Sequence, residues 1–409
     1  MITVEEARER VLSQIQRLDT ERVGIIEALG RVLAEDVVSD IDVAPFDNSA
    51  MDGYAVRAED VASASEDAPV RLAVVEHVPA GAFPTRAVGP GQATRIMTGA
   101  PMPEGADAVV MVERTREEDD GVTAAILAPV RPGENVRRRG EDVRAGEVVL
   151  SAGEVVGPAA AGLLASVGCD RPLVYRRPRV AIVATGDELV DVTEKPGPGK
   201  IRNSNSYSLS AQVLAAGGEP HVLGVARDDV ASTEALLSRA PEFDVMVTTG
   251  GVSMGDYDVV KGVLERLGEM DFWKVAMRPG APQTHGRIGG TPFFGLPGNP
   301  TSTMVGFELF VRPVLRKMAG HSALDRPRHP VTLAHDVKKK PDRRYFLRAR
   351  VERDGDGGYV ARLSGGQSSA MLTSMHRANA LLVLKEGESH FAAGSVVECI
   401  RLDMEEGTP

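Results

Sequence analysis

Apolar and polar positions along this chain change their period several times, and each change marks a predicted element. Val4, Ala7, Val11, Leu12, Ile15 and Leu18 recur at helical spacing behind the capping-box pair Thr3 and Glu6, which predicts an N-terminal helix. Residues 23–38 mix β-branched positions with a short Glu27-Ala28-Leu29-Gly30 segment and read as strand, turn, strand. Residues 45–56 are dense in turn formers yet carry Phe46, Met51 and Tyr54, which reads as a loop packed into a cleft or, alternatively, as a domain-boundary loop. Short β runs at 70–75, 92–96, 108–112, 123–127 and 147–150, separated by Gly and Pro, predict a small all-β domain. Residues 155–167 read as a helix and 174–178 as a linker.

From residue 179 the rhythm becomes β–loop–α. Apolar, β-branched runs at 179–184, 221–225, 243–249, 272–277 and 292–296 alternate with helical spacing near 204–216, up to 238, at 259–267 and up to 318. Such alternation predicts a doubly wound parallel sheet. The stretch 243–267 is the clearest unit: a buried strand, a loop interrupted by Gly250, Gly251 and Gly255, then a helix that ends at Gly268. After Pro330 short β runs return at 331–333, 345–347, 358–363, 380–384 and 395–400, which predicts a terminal β domain.

In an open α/β sheet, ligands bind where loops leave the carboxyl ends of the strands. That rule gathers Asp187, Glu188, Asp228, Asp256 and Asp258 at one edge with Gly250, Gly251, Gly295 and Gly298. Crowded carboxylates repel unless a cation or proton intervenes, and oxygen donors favour Mg²⁺. Glycines admit backbone N–H groups to an anion, and helix starts near Pro300 and Asp258 offer more. Lys274 and Arg278 supply positive charge, and Ser253 a hydrogen-bond donor. Together these predict a site for a phosphorylated small molecule with Mg²⁺, although each acid taken alone suits a helix cap equally well. In the β domain, Arg137, Arg138 and Arg139 read as a solvated face or, beside an anion, as a clamp. No Gly-x-x-x-x-Gly-Lys-Ser/Thr and no Gly-x-Gly-x-x-Gly at the first strand is present, which argues against P-loop nucleotidases and dinucleotide dehydrogenases, and Ser253 has no histidine placed nearby in sequence to serve as its base.

A chain of 409 residues is too long for one core and predicts two to four domains. The formal net charge of -11 argues against a nucleic-acid partner held by general basicity. Cys169 and Cys399 match neither a metal-ligand spacing nor a disulfide framework. The acidic N-terminus has no signal-peptide pattern, and the longest apolar stretch, 155–168, is too short to span a bilayer; a cytoplasmic protein is expected.

Four motifs then carry a family. Residues 45–55 (Pro-Phe-Asp-Asn-Ser-Ala-Met-Asp-Gly-Tyr-Ala), 95–100 (Arg-Ile-Met-Thr-Gly-Ala), 249–258 (Thr-Gly-Gly-Val-Ser-Met-Gly-Asp-Tyr-Asp) and 295–300 (Gly-Leu-Pro-Gly-Asn-Pro) resemble molybdopterin molybdenumtransferases, the family of the gephyrin carboxy-terminal domain. The likeness covers essentially the whole chain. It implies a multidomain fold of α/β and all-β parts: a mixed N-terminal dimerisation domain (1–45 and 147–177), a small β domain (46–146), a doubly wound α/β domain of the molybdopterin-binding type (178–327) and a C-terminal β domain (328–409). It implies insertion of molybdate into adenylylated molybdopterin with Mg²⁺, releasing AMP and molybdenum cofactor. It further implies a homodimer with its cleft between the α/β domain of one subunit and the β domain of the other, and molybdopterin adenylyltransferase as a partner protein.

By motif position the family's catalytic residues fall on Asp52, Thr98, Asp142, Glu188, Asp228 and Asp258. Its metal ligands fall on Glu188, Asp228, Asp256 and Asp258. Its cofactor contacts fall on Gly250, Gly251, Ser253, Lys274, Arg278, Pro297, Gly298, Pro300 and Ser369, with Arg348 beside them. The sequence departs from the family at Arg278 and Ala281, where lysines are common, and at Thr284-His285, where Gly-Phe is usual. Lys274, Arg278 and His285 are then expected to carry the phosphate charge. The alternatives are an adenylyltransferase, which the additional domains argue against, and a non-catalytic scaffold or cofactor carrier, for which no appended partner domain is seen.

Overall fold

The computed structural model describes residues 1–251, 259–355 and 357–404. They form two compact units, one of Met1–Arg22, Gly30–Ala34 and Leu173–Pro409, the other of Val23–Leu29 and Glu35–Pro172.

The first unit is built on a six-stranded sheet in the order Glu219–Ala226, Arg179–Thr185, Val245–Thr249, Thr291–Leu296, Pro282–Ile288, Gly268–Lys274. The first four strands are parallel and the last two are antiparallel. Every residue of Val245–Thr249 and of Thr291–Leu296 is buried, as a sheet covered on both faces requires. Helices Asn205–Ala215, Val230–Leu237 and Val259–Leu267 follow their strands, and the chain is helical from Pro300 to Met318. The N-terminal helix Val4–Ser13 is capped as expected, Thr3 Oγ1 accepting from the Glu6 N–H at 3.1 Å. Its buried Val4, Ala7 and Val11 share one core with Val180, Ile182 and Leu315.

Five further strands make a barrel. Arg344–Arg353, Tyr359–Leu363, Arg328–Leu333, Val396–Arg401 and Ala380–Leu384 pair in that order, and the last pairs back onto the first. Closure leaves no free edge among them. Its core includes Val331, Leu347, Val351, Leu382 and Cys399. Met277–Arg278 adds in parallel beside Arg344–Tyr345.

The second unit holds a six-stranded sheet in the order Ala108–Met111, Gly53–Val56, Gln92–Ile96, Val70–Val78, Thr123–Ile126, Thr115–Glu118. Two short pairs, Val37–Val38 with Val148–Leu150 and Asn48–Ser49 with Val136–Arg137, and helix Pro158–Ser166 complete it.

The multidomain α/β plus all-β class expected from the sequence holds, with four local corrections. Residues 272–277 are not one strand of a parallel sheet: an antiparallel edge strand ends at Lys274, and Met277–Arg278 joins the barrel. Pro282–Ile288 is a strand that hydropathy hides, because its buried residues include Gln283, Thr284 and His285. The supposed linker overlaps strand Leu173–Tyr175, paired with Thr20–Arg22; in 23–38 the turn is present at 25–30 and the second strand at Val37–Val38, but the first strand ends at Arg22 and pairs with Leu173–Tyr175 instead. In the 45–56 stretch, Gly53–Val56 is an interior strand; a Cβ at Gly53 would lie 2.0 Å from the Val110 carbonyl oxygen, so no side chain fits there.

His285 also leaves the role expected of it. Its ring is 1% exposed, packs on Phe294 at 4.7 Å, and places Nδ1 3.0 Å from the Phe293 carbonyl and Nε2 3.5 Å from Asp271 Oδ2. Burial depresses its pKa to about 4, against the opposing pull of Asp271. The folded chain therefore takes up this proton at lower pH than the unfolded chain, and stability falls as pH drops from about 6.5 towards 4, by roughly 2–4 kcal/mol. His285→Gln should flatten that slope. Urea midpoints of both proteins at pH 7 and pH 5 check this, and parallel declines would exclude His285 as the source.

Candidate functional site

The carboxyl ends of the four parallel strands supply the loops. After Arg179–Thr185 come Gly186, Asp187 and Glu188; after Glu219–Ala226 come Arg227 and Asp228; after Val245–Thr249 come Gly250 and Gly251; after Thr291–Leu296 come Pro297, Gly298 and Asn299. Ser253, Asp256 and Asp258 lie outside the described residues.

Asp187 and Asp228 face each other across neighbouring loops. The Asp187 N–H donates to Asp228 Oδ2 and the Asp228 N–H to Asp187 Oδ1, each at 3.4 Å. The helix-cap reading belongs to Asp229 instead, whose Oδ1 accepts from the Ser232 N–H at 2.7 Å. Asp228 is thereby left to the loop edge. Among the described residues no group of three or more His, Cys, Asp or Glu is arranged to hold a metal ion. Gly186, Asp187, Leu189, Lys200, Val225 and Arg227 line a cavity of about 520 Å³ here.

Gly250 and Gly251 have φ of 94° and 64°, and a Cβ on Gly250 would sit 2.6 Å from Thr185 Oγ1. A Cβ on Gly298 would come 3.5 Å from Gly250 Cα, so these two loops touch. Backbone thus packs closely at the point where both strands end, and the N–H of Gly250 expected to meet an anion instead donates to the Leu296 carbonyl at 3.0 Å.

Next to Pro297 lies a second cavity of about 520 Å³, lined by Arg278, Pro279, Pro297, Asn299, Ser302 and Ser369 among others. A third of about 470 Å³ shares Arg278, Pro279 and Gln367 with it and adds Lys338, Lys339, Lys340, Tyr345 and Arg348. The two are therefore contiguous, and their lysines and arginines gather positive charge locally despite the acidic chain. Arg278 and Lys339 stand 5.6 and 5.0 Å from the Tyr345 ring centre. Lys274 pairs in register with Pro282, which lines the second cavity. Ala281 does not line it, although Gly280 and Pro282 do; its carbonyl accepts from the Val275 N–H.

Arg348 is the strongest feature of this site. It is fully buried, donates from Nε to Ser374 Oγ and from Nη2 to the Gly366 and Ser368 carbonyls, and has no carboxylate partner among these bonds. Its Nη1 is buried without an acceptor among the described residues. Burial lowers its pKa to about 10, so it stays charged at neutral pH. Gln367 fixes the adjoining loop by taking the Arg348 N–H at 3.0 Å and donating to the Arg348 carbonyl at 3.1 Å. That loop corrects one expectation: at the Pro300 helix start the Thr301 N–H already donates to the Ser369 carbonyl at 3.1 Å.

In the second unit, Asp52 Oδ1 accepts from the Thr98 N–H at 2.7 Å and from Thr98 Oγ1 at 2.8 Å, which holds its carboxyl below the usual range. Asp142 stands on a separate loop whose N–H donates to the Val43 carbonyl. Arg138 and Arg139 pair with Asp47 and Asp42, so those members of the arginine run are committed within this unit.

Three family models match the chain: MoeA N-terminal region (domain I and II) over residues 2–168, probable molybdopterin binding domain over 181–317, and MoeA C-terminal region (domain IV) over 330–402. Molybdopterin molybdenumtransferase of Bacillus subtilis is 40% identical over 411 residues, spanning 100% of this chain and 95% of its own. Molybdopterin molybdenumtransferase 2 of Mycobacterium tuberculosis is 42% identical over 406 residues, spanning 97% and 99%. The crystal structure of the molybdopterin biosynthesis MoeA protein from Pyrococcus horikoshii superposes with a TM-score of 0.81 at 36% identity, covering 99% of this chain and 100% of that one.

Removing the Arg348 charge tests the anion site. Arg348→Met keeps much of the volume but strips a donor from Ser374 Oγ and from the Gly366 and Ser368 carbonyls, so the melting temperature should fall, and binding is compared well below it. Sulfate, a tetrahedral dianion, should bind about ten- to a hundredfold more weakly to the variant in calorimetry at neutral pH. Equal affinity would remove Arg348 from the site.

Proposed function

The chain belongs to the molybdopterin molybdenumtransferase family, a transferase family of molybdenum cofactor biosynthesis, and we propose that it inserts molybdate into adenylylated molybdopterin, releasing AMP and molybdenum cofactor. The observation that carries this reading is the juxtaposition of the touching glycine loops at Gly250 and Gly298 with the cationic cavities around Arg278 and Arg348. Arg278, Arg348 and Ser369 hold the oxoanion. Gly251 and Gly298 present backbone to the phosphates while Gly250, its N–H held by the Leu296 carbonyl, allows the close approach of the two loops; Lys274 offsets the phosphate charge, and Pro297 and Pro300 shape the loop between.

The acidic loops fit Mg²⁺ by donor chemistry, since they offer hard oxygen atoms. Asp187 and Asp228 each lend one carboxylate oxygen to the other's N–H, which leaves the second oxygen of each outside that exchange, and Glu188 lies next in sequence. When bound, Mg²⁺ would polarise the phosphoanhydride. Asp256 and Asp258 would complete the set, and Asp52, Thr98 and Asp142 serve the same reaction through their family positions.

A homodimer is supported by the second unit. Helix Pro158–Ser166 is almost wholly apolar yet buries only Leu164, and the register partners Val38 and Val148 are both about half exposed. Apolar surface of this kind suits a second copy of the chain. Molybdopterin adenylyltransferase would be the donor of the adenylylated substrate. No helix of the described residues is long and apolar enough to cross a membrane, and we place the enzyme in the cytoplasm.

The test is AMP release from adenylylated molybdopterin by the purified protein. Release is expected only when molybdate and a divalent cation are both present. Full release with a chelator would remove the metal role, and full release without molybdate would uncouple hydrolysis from insertion and overturn the reading.

A further inference from the structure

Asn205 opens helix Asn205–Ala215 and belongs to none of the motifs that carry the family likeness. Its Nδ2 lies 2.7 Å from Thr249 Oγ1, 2.8 Å from the Gly298 carbonyl oxygen and 3.4 Å from Thr303 Oγ1. A carbonyl only accepts, so the amide orientation is determined by its partner. The two hydroxyls extend the tie: Thr249 Oγ1 donates to the Pro297 carbonyl at 3.2 Å, and Thr303 Oγ1 lies 2.5 Å from that same carbonyl and 3.1 Å from the Asn299 carbonyl. Thr249 and Thr303 are 2% and 0% exposed. One amide on a helix thus joins the end of strand Val245–Thr249 to all three residues of the Pro297–Gly298–Asn299 turn.

The joined segments are the two loops that touch at Gly250 and Gly298. Their strands are neighbours, with Thr249 opposite Leu296, and the Gly250 N–H donates to the Leu296 carbonyl at 3.0 Å. Beyond that pair the sheet ladder stops, and side chains must set the spacing. Asn205 does so at a cost: its Oδ1 is buried with no donor among the described residues, an arrangement that stability alone disfavours.

We propose that Asn205 is a positioning residue that sets the separation of the Gly250–Gly251 loop from the Pro297–Asn299 loop, and through it the affinity for the anionic substrate. The proposal rests on the reading of those loops as the substrate site. Only an amide suits this position. Ser is too short to span both acceptors, and Asp keeps the shape but replaces the NH2 group, with both its donors, by one oxygen that repels the Gly298 carbonyl.

Asn205→Asp is the principal test, with hydrogen–deuterium exchange of the loops, melting temperature and AMP-release kinetics as readouts. Exchange at Gly250, Gly251, Gly298 and Asn299 should quicken by about tenfold while the rest of the unit is unchanged, and KM for adenylylated molybdopterin should rise by about tenfold or more with a smaller change in kcat. Thr249→Val, which removes the hydroxyl that Asn205 reaches, should do the same, and Thr249→Ser should restore wild-type values. This second pair decides the matter if Asn205→Asp does not fold. Unchanged exchange and unchanged KM would overturn the proposal, as would a lowered melting temperature with KM intact. If the wild-type protein releases no AMP, the functional reading fails, and the exchange data alone still show whether Asn205 holds the loops.

Discussion

Two adjacent parallel strands, Val245–Thr249 and Thr291–Leu296, are buried along their whole length, and the site depends on that burial. A strand covered on both faces cannot slip by one residue without turning its packing inside out. The register Thr249 opposite Leu296 is therefore firm, and it delivers two glycine loops side by side. The same sheet fixes the acidic loops, because Arg179–Thr185 and Glu219–Ala226 end in register at Thr185 and Ala226. Glycine loops and carboxylates thus reach one edge from separate strands.

The cationic side is placed by a different device. The chain leaves the edge of the α/β sheet at Lys274 and adds Met277–Arg278 to the barrel beside Arg344–Tyr345. This brings Arg278 to the strand that also carries Arg348. Sheet and barrel share one core, with Phe294, Val305 and Met277 beside Phe346, Leu381 and Ile400. An acidic chain of net charge -11 can attract an anion here because the charge that matters is local.

Much of this was legible in the sequence where local rules act alone. The capping pair Thr3 and Glu6, the helix start after Ser204 and the short β runs of both β regions stand close to where pattern put them. The acid and glycine loops were legible for the same reason, since the parallel-sheet rule needs only strand ends. What escaped depends on tertiary context. Gly53–Val56 looks like a turn because its glycine answers a carbonyl on a neighbouring strand. Pro282–Ile288 looks polar because Gln283 and His285 are satisfied inside the fold: Gln283 reaches the Met277 sulfur, and His285 the Phe293 carbonyl. Asn205 is an ordinary helix-start residue until Thr249, Gly298 and Thr303 are brought to it from positions 44, 93 and 98 residues away.

His285 and Arg348 show how burial sorts charge in this fold. Both are nearly or fully inaccessible, and both have pKa values pulled down by desolvation. The histidine starts near neutrality, so the same physical push leaves it uncharged and available only for packing and a neutral hydrogen bond. The arginine starts so far above neutrality that it remains a cation at about 10. Of these two buried groups, only the guanidinium therefore carries a charge at physiological pH. Since Ser374 and the Gly366 and Ser368 carbonyls accept from Arg348 without neutralising it, its charge is still available to an anion in the cavity. A carboxylate partner in that position would have cancelled the field that the site needs.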